Sequence, residues 1–218
     1  MAFAKISGTP FLRLDRVVMK QIGFFGGSFD PIHFGHLKMA KELKEKKMLD
    51  EIWFSPARIS PFKLDRCPES VENRLEMLRL ALGGEPGFKI YEEESRRLGP
   101  SYSIETVEHL SEIPDCQFYF IISDESVPEF FHWKEAERIV QLVPLIVGSR
   151  VGAEPPKKGN ETICQAMERG WTPTQILDIS STQIRKFLKE GKDCTSYIPR
   201  NVLDFIYQNH LYSSTNYE

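Results

Sequence analysis

Cysteine is scarce in this chain: Cys67, Cys116, Cys164 and Cys194 are the four among 218 residues, and they lie far apart. No CxxC pair and no histidine at ligand spacing accompanies them, which excludes a sequence-encoded zinc site or disulfide framework. Scattered thiols fit a reducing compartment, so the cytoplasm is the expected location. Long apolar runs are also missing. None approaches the length that spans a bilayer, and Lys5, Arg13, Asp15 and Arg16 interrupt the first eighteen residues, which excludes a signal peptide. A basic excess is absent too, with 28 Lys and Arg against 31 Asp and Glu. That balance argues against a nucleic-acid partner. Neither GxxxxGK[ST] nor GxGxxG occurs, so the Walker loop and the dinucleotide fingerprint are excluded.

What is present is 41% apolar content arranged as short runs alternating with helical patterns. This predicts an α/β fold: a Rossmann-like, doubly wound, mainly parallel sheet with helices on both faces and a small C-terminal helical part. Strands are expected at 21–25, 51–55, 88–91, 117–122, 142–147 and 175–179. Pro144 pushes the fifth of these toward a sheet edge. Helices are expected at 34–47, 69–82, 103–110, 182–189 and 199–209. Residues 152–159, with Pro155-Pro156 and Lys157-Lys158, read as an exposed loop. Met19 opens the first strand. Either Met19 is the functional start or residues 1–18 form a loosely attached extension; 19–212 are expected to be one domain and 213–218 a flexible tail.

Two stretches carry chemistry. In GFFGGSFDPIHFGH (23–36) a strand delivers the chain to Gly26-Gly27, where missing side chains let backbone N–H groups approach a ligand. Asp30-Pro31 makes a turn, and a helix then begins near Phe34. Its N-terminus is an anion site by virtue of unsatisfied N–H groups and the helix dipole. His33 and His36, three residues apart, can both face that anion and stabilise charge built up during phosphoryl transfer. An HxxH pair alone reads first as an ordinary capping or surface arrangement, and the glycine loop shifts the balance. In ISSTQIRKFL (179–188), Ser180 and Gln183 fit a capping box, which places Ser181 and Thr182 in the first helical turn. Arg185 is within reach of the same end for a bidentate phosphate contact. Alone, this segment reads as a capped helix with an exposed arginine.

Together, GGSFDPIHFGH and ISSTQIR resemble the HxGH nucleotidyltransferase superfamily, and other segments resemble its bacterial nicotinate mononucleotide adenylyltransferase branch. Ser60–Lys63 (SPFK) is similar to that family's PPHK loop, and Arg74, Met77, Leu78 and Ala81 to its RxxMLxxA helix. Glu94–Thr106 is similar to its ExxRxGxSYTxxT segment. Phe131-His132-Trp133 and the closing Tyr197-Ile198-Pro199 to Tyr212 pattern also fit. The resemblance spans about residues 19–212. It implies that the phosphate of nicotinate mononucleotide attacks the α-phosphorus of ATP, releasing pyrophosphate. His33, His36, Lys63 and Arg185 would then be catalytic, and Gly26, Gly27, Ser28, Phe29, Ser181, Thr182 and Arg185 would hold ATP. Ser101, Tyr102, Ser103, Asp124, Glu125 and Trp133 would hold the acceptor. Mg²⁺ would travel with the triphosphate, bound by ATP and water rather than by a protein metal site. A homo-oligomer is compatible with the family.

Two departures stand out. The family's GAD after the fourth strand is Ser123-Asp124-Glu125 here, and its PPHK histidine is Phe62. Three rival readings remain at this level. One is an adenylyltransferase for another phosphorylated acceptor such as phosphopantetheine, and another is a nucleotide-binding protein without turnover. The third, a class I aminoacyl-tRNA synthetase, is disfavoured because the chain lacks room for tRNA-binding domains.

Overall fold

The computed structural model describes residues 19–59, 68–97, 99–175, 177 and 179–213. Strand β1 (Lys20–Gly27) shows why its sequence is apolar without alternation. Ile22 and Phe24 join one buried cluster while Phe25 joins a second on the opposite face. A strand covered on both faces has no solvent side to mark with polar residues. The same holds for β4 (Cys116–Ser123), where Phe118, Phe120 and Ile122 face one cluster and Ile121 the other. With β2 (Glu51–Pro56), β3 (Phe88–Ile90), β5 (Leu145–Arg150) and β6 (Trp171–Thr174) they form one parallel sheet of order β3-β2-β1-β4-β5-β6.

Helices cover both faces. On one lie α1 (Phe34–Lys46), α2 (Val71–Leu82), α8 (Ser181–Lys189) and α9 (Arg200–Gln208), burying Met39, Leu43, Met77, Leu78, Ile184, Val202 and Ile206. On the other lie α4 (Ser103–Ser111), α5 (Val127–Phe130), α6 (Ala136–Leu142) and α7 (Glu161–Gly170), burying Ile104, Val107, Phe130, Ile139, Ile163 and Met167. Each such side chain contributes about 1.5–3 kcal/mol by leaving water. A short helix α3 (Glu93–Arg96) follows β3. The Rossmann-like doubly wound architecture with C-terminal helices is as the sequence predicts. Helix α1 lies so close to the sheet that a Cβ on Gly148 would sit 2.5 Å from Met39 Sδ. At the opposite end, Glu51 ties three strands together. Burial opposes its ionisation, yet hydrogen bonds involving Lys20, Lys89 and Trp53 outweigh that and hold its carboxyl down at about 2.

Two strand expectations are corrected. The predicted 142–147 strand begins only at Leu145, because Leu142 ends α6. Pro144 sits just before it and keeps its use as an acceptor for the Phe120 N–H at 2.9 Å. The strand therefore lies between β4 and β6, inside the sheet. The edge proline is Pro173 in β6, where one side of the strand has no ladder to break. The predicted strand at 175–179 is not formed by its described residues Gln175, Leu177 and Ile179. Its place is taken by Trp171–Thr174, a WTPT stretch too short and too polar to announce itself. Helices α3, α5, α6 and α7 fall outside the sequence expectations, although in α7 Ile163, Ala166, Met167 and Gly170 recur at helical spacing and Asn160 caps the start. The 152–159 segment is indeed without helix or strand.

Candidate active site

The strand order reverses between β1 and β4, and in a parallel sheet the crevice beyond the carboxyl ends of such strands is the natural ligand site. A cavity of about 1270 Å³ opens there. Gly26 and Gly27 at the end of β1, Ser28 and Phe29 after it, His33 and His36 at the start of α1, and Ser181, Thr182 and Arg185 on α8 all border it. So do Ser101, Tyr102 and Ser103 before and in α4, Asp124 and Glu125 after β4, and Trp133. Lys63 and Phe62 lie outside the described residues, as does Cys67. The other three cysteines are free thiols.

The two helix starts meet. Ser181 Oγ donates to the Pro31 carbonyl at 3.0 Å, and Arg185 Nη1 donates to the Asp30 carbonyl at 2.6 Å. The capping box at Ser180 and Gln183 is formed as read from the sequence. His33 is the N-cap of α1 but caps nothing with its side chain. Its ring is stacked on that of His36, with centroids 3.7 Å apart and planes tilted by 32°. His33 is 5% exposed, and its Nδ1 has no hydrogen-bond partner among the described residues. Burial drives the His33 imidazole down to about 4, so it is neutral at pH 7 and able to donate one N–H. A Cβ on Gly35 would lie 2.9 Å from both Cε1 and Nδ1 of that ring, so glycine is required between the histidines.

Several expected ligands have partners within the protein. The Phe34 N–H donates to the Tyr197 carbonyl and the His36 N–H to the His33 carbonyl, so the start of α1 is less open than its sequence implies. Phe29 is 1% exposed with φ +47, and its ring packs against Phe25, Phe54 and His36. It supports the histidine and offers the cavity chiefly backbone. Ser101 Oγ accepts from the Arg58 N–H at 3.0 Å, while the Ser101 N–H donates to Ile59, so this serine braces a neighbouring loop. Asp124 accepts from the Arg150 backbone N–H at 2.9 Å and pairs with its guanidinium, and Glu125 pairs with the same arginine. The two acids that replace the family's usual aspartate are thus directed at β5. Trp133 meets Phe130 and Phe120 at ring distances of 5.0 and 6.0 Å, so it is packing and cavity wall at once.

Sequence reasoning passed over three groups here. Arg74 is 1% exposed and donates to four backbone carbonyls, those of Ser28, Ala57, Arg58 and Glu69. It fastens the glycine loop to the exits of β2 and to α2, and only the family helix pattern marked it beforehand. Lys134 holds its ammonium 4.4 Å over the Tyr102 ring. Lys186 and Lys189 follow Arg185 along the cavity wall, and Lys189 shares its helical face at i+4.

Comparison with known proteins agrees with this geometry. The cytidylyltransferase-like family model matches residues 24–187. A Bacillus anthracis protein named "Probable nicotinate-nucleotide adenylyltransferase" is 38% identical over 197 residues, covering 90% of this chain and 100% of its own length. A Geobacillus kaustophilus protein of the same name is 36% identical over 90% of this chain and 88% of its own. Plasmodium falciparum nicotinic acid mononucleotide adenylyltransferase, solved in complex with NaAD, superposes with a TM-score of 0.66 at 23% identity. That match covers 88% of this chain and 97% of the other. Its complex with APC superposes at 0.63 and 24% identity, covering 88% and 97%. The structural matches share the fold. The sequence matches, running nearly end to end, show that this chain belongs to the cytidylyltransferase-like family and, within it, to the nicotinate-nucleotide adenylyltransferases.

Proposed function

We propose that this chain transfers AMP from ATP to nicotinate mononucleotide, giving deamido-NAD and pyrophosphate, in the cytoplasm. The observation that carries the reading is the joining of the two helix starts at one cavity wall, where Ser181 and Arg185 contact Pro31 and Asp30 beside the stacked histidines. In-line attack of the acceptor phosphate on the α-phosphorus needs no covalent enzyme intermediate. The protein's part is placement and charge stabilisation. His33 and His36 donate to phosphate oxygens as charge develops. Arg185, Thr182 and the α8 start hold the triphosphate, and Lys63 is assigned to the same task by the family motif alone. Ser181, whose proton is committed to Pro31, fixes the junction. The acceptor's pyridine ring rests between the Ser101–Ser103 turn and Trp133, with the open start of α4 facing its carboxylate.

Among the described residues no three His, Cys, Asp or Glu side chains gather as a metal site. Mg²⁺, neutralising phosphate charge, is assigned to the triphosphate itself, bound mainly by ATP and water. Among those residues no helix is long and apolar enough to cross a membrane. The catalytic unit is assigned to residues 19–212, with 1–18 as an extension; mass spectrometry of the native N-terminus tests whether the product starts at Met19, and an intact Met1 or Ala2 end overturns that start. The reaction is tested by incubating the protein with ATP and a panel of acceptors while pyrophosphate is measured. Nicotinate mononucleotide should give the highest kcat/KM. Faster release with phosphopantetheine, or ATP binding without turnover on any acceptor, overturns the reading.

A further inference from the structure

The Asp30 carboxylate is 7% exposed and lies at the bend between the glycine loop and His33. Its Oδ1 accepts from the Tyr212 hydroxyl at 2.7 Å and from the Glu69 N–H at 3.3 Å, while its Oδ2 stands 3.5 Å from Arg185 Nη1. Tyr212, beyond α9, is 3% exposed and adopts φ +58, so its side chain is held inward by the surrounding core. Burial and the adjacent Asp30 charge push its hydroxyl well above the usual phenol range, which keeps it a donor. A carboxylate oxygen engaged by two donors cannot turn, and the second oxygen is thereby presented to the guanidinium. Arg185 Nη1 donates to the Asp30 carbonyl at 2.6 Å with the Asp30 carboxylate beside it as an ion pair, Nη2 donates to Thr182 Oγ1 at 3.2 Å, and the side chain keeps 23% of its surface exposed at the cavity.

We propose that Tyr212 and Asp30 are positioning residues for ATP, with the Tyr212 hydroxyl fixing the Asp30 carboxylate and that carboxylate aiming Arg185 at the triphosphate. The inference rests on the reading of Arg185 as an ATP ligand. It explains why a tyrosine in the last described turn, 182 residues away from Asp30, is buried against the loop that carries the histidines.

A double-mutant cycle in the full chain tests it, with ATP and acceptor affinities measured separately by calorimetry. Tyr212→Phe keeps the ring and removes the hydroxyl, and should weaken ATP binding about tenfold, as for one charge-assisted hydrogen bond. Acceptor affinity should stay within twofold, and the circular dichroism spectrum should be unchanged. In an Arg185→Ala background the same change should weaken ATP binding by less than twofold, because its effect passes through the arginine. If Tyr212→Phe does not fold, Asp30→Asn carries the test with the same expected pattern. An effect that persists in the Arg185→Ala background, an equal loss for both ligands, or no loss at all overturns the proposal while leaving the Arg185 assignment standing. Unchanged ATP affinity in Arg185→Ala alone overturns both.

Discussion

His33 and His36 stack their imidazoles at 3.7 Å, and the two rings cannot both be charged without mutual repulsion of about 4 kcal/mol at an effective dielectric of 20. The buried member, His33, is the one driven to about 4. Its lowered value has a consequence for stability. Unfolded, the ring takes a proton near 6.5; folded, it resists down to about 4, so the unfolded chain binds more protons in between. Stability from this group is complete above pH 6.5 and is lost as pH falls toward 4, by up to about 3 kcal/mol. Denaturant midpoints measured from pH 7 to 4 should fall more steeply for the native chain than for His33→Gln; parallel curves contradict the assignment.

His36→Ala should lower kcat by at least about a hundredfold, in line with the loss of a preorganised donor to a developing charge. The thermal midpoint should change little, because His36 is only half-buried. Near-normal turnover in a folded variant removes His36 from the chemistry.

Gly35→Ala adds one methyl group at 2.9 Å from the His33 ring. The ring must shift, and a displacement on the order of 1 Å at such a site costs about a hundredfold in rate. Steady-state kinetics should show the loss in kcat rather than in KM for the acceptor, since Trp133 and the Ser101–Ser103 turn are untouched. A fully active variant means that His33 does not need its stacked position.

Trp133→Ala should raise KM for nicotinate mononucleotide at least about tenfold more than KM for ATP, consistent with the loss of an aromatic stacking surface. It also costs stability, as the ring packs on Phe130 and Phe120, so affinities are to be compared below the thermal transition of the variant. Equal changes in both constants place Trp133 in the core alone.

Arg74→Met leaves four backbone carbonyls without their donor, and burial of that unsatisfied set should destabilise the fold by about 3–5 kcal/mol. The comparison with Arg74→Lys is informative, because an ammonium can satisfy three carbonyls at most and lacks the planar fork. Chemical denaturation should rank native above Lys above Met. Equal stability of native and Met variants contradicts the bracing role of the guanidinium.

The sheet and most of its helices were legible because their apolar runs are continuous where both faces are covered and helical where one face is. Gln21–Phe25 and Gln117–Ile122 fall inside strands that prove central. β6 escaped because WTPT is short, carries a proline, and is fixed by pairing with β5 rather than by its own pattern. The candidate site was legible at its two helix starts, where glycine, histidine and capping residues fall at telling intervals. What could not be read was commitment. That Asp124 pairs with Arg150 and Ser181 donates its proton to Pro31 depends on neighbours 26 and 150 positions away.

The central strand β1 lies between β2 and β4, and its register pairs Lys20 with Cys116. While the chain is still on the ribosome, β1 can align with β2 within some thirty residues, but its other edge stays bare until β4 emerges. During that interval an apolar strand with an open ladder is available to other nascent chains. Closing that edge both protects the growing polypeptide and brings together the strand ends that line the cavity.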